Sequence, residues 1–467
     1  MTVCLGWGIT KKDIERMNSM METDNYRSRL LGLGYQMSPK APAWLNEVQK
    51  KTFERFRKLG FPGRKSEAWK NISVERILNA PFIPCEDRSF EVDDQHVFDR
   101  YNLVKDGERR MTFLNSVYSE KYSLNQELPS GVVLEELKSV LTNNPEILHG
   151  LYGARIEAED NVFCAVNALC FKHGIFLDVP AGKIMDAPIH LVFSGMGDKD
   201  NPPAFYPRIL VRLGCESRVN LVTSYISLNR EPYFMAGAAE VFLDRGAQLN
   251  WTMVQRQRRM ASKVLKARCF LAAGSRLERA AFIRGGDISY DELEVFMEGP
   301  GASCRCDGLA VLAGNSQSSK VVKMHHLASH CQSRQTFKNI LTDRAQGEFN
   351  SIVNVAPGTH GSDSHQMNRN LILSDEARAY SRPQLKIDAD DVKASHGSAT
   401  GQLNEGELFY LQSRGLSLPT AKYILTYGFA EEILEKIKPD SVRWQLELLV
   451  RKGIESMVSG SPGQAGG

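Results

Sequence analysis

Three polar stretches hold most of the side chains able to bind a metal or move a proton. HHLASHCQSRQTF carries His325, His326, His330 and Cys331. THGSDSHQMNRN carries His360, Asp363, His365 and Asn368. DADDVKASHGSAT carries Asp388, Asp390, Asp391 and His396. Imidazole and thiolate are soft enough for iron, zinc or copper. By residue type, His330, Cys331, His360 and His365 make one candidate polar site, and His396 makes another. Strand geometry weakens the first. On a strand, His325 and His326 point to opposite faces and cannot serve one site. The Asp388–Asp391 run reads most simply as a solvated turn, because Asp favours turns and like charges repel. No G-x-S-x-G, P-loop, G-x-G-x-x-G or H-E-x-x-H motif occurs. Nothing pairs a nucleophile with a general base at recognisable spacing, so the expectation is a protein without a catalytic centre. The cysteines are Cys4, Cys85, Cys164, Cys170, Cys215, Cys269, Cys304, Cys306 and Cys331, with no C-x-x-C pair. That excludes a zinc ribbon and a permanent ferredoxin-type cluster, and points to buried, reduced thiols.

These residues sit in a region of short strands. From about Asn161 to Asp390, β-branched runs recur: GIFLDV, PIHLVF, RILVRL, VNLVTSY, AEVFLD and LNWTMV. A glycine turn followed by an apolar set repeats at Gly182, Gly214, Gly246, Gly274 and Gly301, with spacings of 32, 32, 28 and 27 residues. Strand–turn units at such a period indicate a stacked solenoid, because one unit cannot bury its apolar face alone. A right-handed parallel β-helix is the first expectation and an antiparallel sandwich the alternative. The flanks read differently. Ala43 to Leu59 has apolar residues at helical spacing and stops at Gly60 with Pro62 beyond. A second helix is predicted from about Ser130 to Leu151, and short strands and loops over 80–128. Helical patterns return from Gly406. The division is therefore 1–158, mainly helical; 159–403, the β-helix core; 404–458, C-terminal helices; and 459–467, a flexible tail.

Composition narrows the class. Of 467 residues, 42% are apolar and 24% charged, with a formal net charge of +3. Such a balance argues against nucleic-acid and polybasic membrane binding. No run of about 20 apolar residues suggests a membrane span. The N-terminus has neither the basic–apolar pattern of a signal peptide nor that of a transit peptide. The expectation is a cytoplasmic protein.

The stretch from Phe349 to Leu416 resembles the SufB/SufD family of iron–sulfur cluster assembly proteins. The likeness rests on NRNLILS, on P-x-L-x-I-x-A-D-D-V-K from Pro383, on S-H-G with Thr400 shortly after, and on L-F-Y-L-x-S-R-G-L from Leu408. HCQSRQTFKNIL and, near the N-terminus, SEAWKNISVERIL with Trp69 extend it. The resemblance implies a right-handed parallel β-helix with an N-terminal α/β region and a C-terminal helical domain. It implies a SufB-like partner met through the β-helix, and the ABC-type ATPase SufC held by the C-terminal helices, with Phe409, Tyr410, Arg414, Phe429 and Glu432 in the SufC-binding region. The SufB-type scaffold carries a Cys and a Glu where this chain has Ala377 and Gly397, so the chain resembles the SufD type. His396 aligns with the SufD histidine at the heterodimer interface, where a transient cluster forms; no permanent cofactor is implied. SufD-like chains usually have a Cys two residues earlier, and this one has Ala394. That leaves the imidazole as the ligand offered there. The alternatives are a SufB-like scaffold, a SufD homodimer and, remotely, a β-helix polysaccharide lyase or hydrolase.

Overall fold

The computed structural model describes residues 25–32, 41–63, 66–84, 92, 97–103, 109–155, 159–171 and 173–458. The proposed tail, 459–467, lies outside them, as do Cys4 and Cys85. Two long sheets face each other as a parallel β-solenoid of about seven turns. The first sheet runs, edge to edge, through Arg378–Ile387, Gln346–Val355, Gln317–His326, Ile288–Met297, Ala261–Leu271, Tyr233–Leu243, Arg208–Leu213, Gly174–Val179 and Val133–Glu136. The second runs through Val392–Gly401, Ser362–Ile372, Gln332–Leu341, Ser303–Leu312, Arg276–Gly285, Gln248–Gln257, Arg218–Ser227, Ile189–Gly195, Arg109–Leu114 and Val117–Leu124. Each strand therefore pairs with one a full turn later, Gln248 lying beside Arg276 and Arg276 beside Ser303.

Alternation explains the core. Leu265, Ala267, Cys269 and Leu271 point inward from one strand, and Leu293, Val295 and Met297 do so from the next. All are buried, and each needs the neighbouring turn to cover it. One corner carries a left-handed residue in every turn: Gly182, Glu216, Gly246, Gly274, Gly301, His330, Gly361 and Asp391. Through most of that column the backbone N–H donates to a carbonyl one turn on, as from Gly274 to Pro300 at 2.9 Å and from Gly301 to Ser329 at 3.1 Å. Glycine is favoured there because a Cβ strains that backbone. The repeat read from glycines is thus this corner, with one correction. In its second turn the left-handed residue is Glu216, while Gly214 packs tightly against the backbone of Ala181.

The flanking elements lie on the outer faces. Trp69 stacks on Tyr290 of the first sheet, with ring centroids 4.1 Å apart. A buried ionic cluster pins the segment Glu159–Asn161 to the same face. Lys266 Nζ lies 2.9 Å from Glu159 and 3.1 Å from Glu292, and Arg268 lies 2.8 Å from Glu159. The helices Leu418–Leu434 and Asp440–Val458 cover the second sheet, packing Ile433, Leu446 and Val450 on Phe282, Val311 and Ile340.

The helix Ala43–Leu59 forms as the periodicity requires. The continuous helix expected from Ser130 to Leu151 does not. Val133–Glu136 is a strand paired antiparallel with Ile175–Asp178, Leu137–Asn143 is a short helix, and Pro145 opens a separate 3-10 turn. Pro145 lacks the N–H that would continue the helix. The strands Arg109–Leu114 and Val117–Leu124 join the second sheet. A helix that periodicity did not show, Val162–Cys170, opens the region read as all strand. Seven of its nine residues are buried, so it has no polar face to reveal it.

Candidate functional site

The solenoid ends abruptly. Arg378–Ile387 and Val392–Gly401 each have a paired neighbour on one side only. In earlier turns the next coil covers the inward residues; here nothing among the described residues does, and Ile387 is 40% exposed. His396 belongs to this last coil and is exposed. It lies in register with Gln366, which lies beside Gln335, which lies beside Cys306. Paired residues in parallel strands share a side, so His396 stands over the mouth of the interior.

The interior beneath it is lined by neutral amides and hydroxyls, whereas the middle is mainly apolar around one buried ionic group centred on Asp291. Gln366 Nε2 donates to Ser351 Oγ at 2.9 Å, and that hydroxyl donates to Gln335 Oε1 at 2.7 Å. Asn370 Nδ2 donates to Thr400 Oγ1 at 3.0 Å. His326 is buried, with Nε2 2.9 Å from Ser333 Oγ, and burial pushes its imidazole down to about 4. Sequence reading missed Gln335, Ser351 and Gln366. The signal available was the alternation of polar residues in SDSHQMNRN at positions that face inward in earlier turns.

The first candidate polar site does not assemble. His330 holds the left-handed corner, donates its N–H to His360 O at 2.7 Å and lays its ring against Gly361. Cys331 is buried 3.6 Å from the Gly299 carbonyl, and burial pushes its thiol up, away from the thiolate that binds metal. His365 hydrogen-bonds Ser395 at 2.7 Å on an exposed part of the second sheet. His330 and His360 share the corner, Cys331 lies inside and His365 on the outer face, and no group of three His, Cys, Asp or Glu among the described residues is placed to hold a metal. His325 and His326 take opposite faces: His325 stacks on Phe296 outside, with Nε2 3.3 Å from Glu294, and His326 lies inside. Ala377 is buried in the turn before Arg378, and a Cβ at Gly397 would meet Met367 Cε at 3.0 Å.

The C-terminal residues divide as well. The helix Glu405–Ser413 buries none of its residues, and Phe409 and Tyr410 are 74% and 56% exposed. The Arg414 guanidinium sits 5.3 Å from the Tyr410 ring. Phe429 and Glu432 instead turn toward the second sheet. Lys338 donates to the Phe429 carbonyl at 2.8 Å and meets Glu432 at 2.6 Å. Those two residues anchor the helix to its own solenoid, which the pattern of the helix alone did not show.

Comparison with known proteins agrees with this architecture. The SUF-system FeS cluster assembly SufBD core domain matches residues 195–429, and the SufBD N-terminal region matches 34–191. An iron–sulfur cluster assembly SufBD family protein of Synechocystis is 28% identical, over 84% of this chain and 87% of that one. SufD of Escherichia coli is 25% identical, over 88% and 92%. SufB of Bacillus subtilis is 20% identical, over 97% and 94%. With the core match spanning half of its length, the chain belongs to the SufBD family of SUF-system iron–sulfur cluster assembly proteins.

Proposed function

We propose that this chain is a SufD-type subunit that works by docking in the cytoplasm and makes or breaks no bond itself. Its open solenoid end receives a SufB-like scaffold, and its C-terminal helices hold SufC. The observation that carries the reading is the uncovered last coil with His396 upon it. Two ten-residue strands with a free edge invite another chain's strands. His396 then offers an imidazole to a cluster formed transiently between the two bodies. The SufD assignment is supported by Ala377 and Gly397, which supply neither the thiolate nor the carboxylate of a scaffold. It is also supported by the higher identity to SufD than to SufB. Nucleotide binding would draw SufC copies together and bias the paired bodies toward one arrangement.

Two experiments test this. His396→Ala in the complete complex is expected to fold and assemble normally and to lower cluster yield by tenfold or more; unchanged yield removes His396 from the mechanism. Phe409→Ser with Tyr410→Ser is expected to abolish co-purification of SufC, since burying such aromatics dominates an interface; undiminished capture moves SufC elsewhere. Anaerobic reconstitution of the isolated chain with iron and sulfide separates the scaffold reading, which requires a stable cluster on this chain alone.

A further inference from the structure

The apolar outer face of the second sheet ends in two arginines. Arg256 and Arg284 lie in register on adjacent strands, beyond Val254 and Phe282. Arg256 Nη2 donates to the Tyr101 carbonyl at 2.7 Å, and its guanidinium sits 4.8 Å from the Tyr101 ring. Its Nε is buried and makes no hydrogen bond. Arg284 is part-exposed. Its Nη1 is 3.5 Å from the Leu449 carbonyl, and a Cβ at Gly453 would sit 3.5 Å from its Cζ. Among the described residues neither guanidinium meets a carboxylate within ion-pair distance. A third cation, Arg110, lies 3.5 Å from Asp99. The charge is felt nearby: burial, then Arg110 and Arg256, push His190 down to about 3. Burial and the proximity of Arg284 also lower Arg256. Two half-hidden guanidiniums on paired strands, with no carboxylate within ion-pair distance among the described residues, form a site that a planar-fork donor pair fills with an oxyanion.

We infer that Arg256, which touches the helix Val97–Tyr101, and Arg284, which touches the helix Asp440–Val458, together bind a small oxyanion of the phosphate class. The site lies on the outer face of the second sheet and stands independently of the docking reading above. It seats an anion against both the N-terminal region and the C-terminal helices, so occupancy tightens their hold on the solenoid.

The test is calorimetric titration of the full chain with inorganic phosphate, beside thermal unfolding in phosphate and in sodium chloride at equal ionic strength. Saturable binding with one site per chain is expected, with a higher unfolding midpoint in phosphate than in chloride. Arg284→Gln, which is part-exposed, is expected to fold and to weaken phosphate binding at least tenfold; Arg259→Gln, on an exposed turn, leaves it unchanged. Absence of saturable heat and of any phosphate-specific midpoint rise in the wild type overturns the site. So does an equal midpoint rise in folded Arg284→Gln, which marks a general salt effect.

Discussion

A lysine inside the solenoid shows how far single residues depart from their free behaviour. Lys263 is fully buried, with Nζ 3.9 Å from Met253 Sδ and 4.2 Å from the Tyr225 ring. Nearby Asp291 is already held by Arg279 at 2.9 Å and Lys320 at 2.5 Å. Burial pushes the Lys263 amine down to about 7 from 10.5. Between those values the unfolded chain carries a proton that the folded chain does not, so stability rises with pH through the window and loses that gain as pH falls toward 7. Lys263→Met keeps the volume and removes the charge. It is expected to flatten that rise and to add a few kcal/mol at pH 7, read from denaturant unfolding at several pH values. Residues of this kind are not legible in a sequence. Lys263 looks like any charged strand residue, and only register shows that it points inward beside Leu265.

At the scale of elements, the attachment of the C-terminal helices is the most exposed to test. Lys338 is almost wholly buried and joins Glu432 and the Phe429 carbonyl to the second sheet. Removing it loses the hydrogen bond to the Phe429 carbonyl and the ion pair to Glu432, which is 44% exposed and keeps Lys436 at 3.5 Å, at a cost of about 1–2 kcal/mol. Lys338→Met is expected to speed hydrogen exchange across 418–458 while the solenoid strands keep their protection. Equal loss in both places means that helices and strands unfold as one unit. The elements were unequally visible in the chain. Strands and their repeat announced themselves because each turn must set a glycine or its substitute at the same corner. The helix Val162–Cys170 did not, being apolar all round. The residues 130–151 misled because helix-forming Leu and Glu in LEELKSVL mask a strand whose pairing partner, Ile175–Asp178, is remote. His396, Phe409 and Tyr410 were picked out from the sequence, and all three are exposed. Residue type also suggested a cluster at His330, Cys331, His360 and His365, which corner, interior and outer face of the solenoid divide.

The whole molecule carries an acid liability. His190 and His326 are held neutral by burial, at about 3 and about 4, whereas an unfolded imidazole takes a proton near 6.5. Their folded pKa values are depressed, so the stability they contribute is present above about 6.5 and is lost as pH falls toward 4 and 3. Asp291, buried and held low by Arg279 and Lys320, and Glu294, held low by its hydrogen bond with His325 and by Lys266 and Arg268, add further loss as pH falls through the ordinary carboxylate range. Unfolding midpoints are expected to drop steeply between pH 6 and pH 4. His326→Gln is expected to soften that drop, and a profile unchanged in that variant assigns the liability to His190 and the carboxylates.

The two ends of the stack are unlike. One finishes, among the described residues, in the uncovered coil around His396. The other finishes in two reversed strands, Val117–Leu124 with Glu120 and Lys121 exposed, and the four-residue Val133–Glu136. Short, charged, antiparallel margins resist further pairing. A rod that is sticky at a single tip can join one other such rod, tip to tip, and growth then halts. Filaments need two adhesive poles, and the described residues present one such unpaired end.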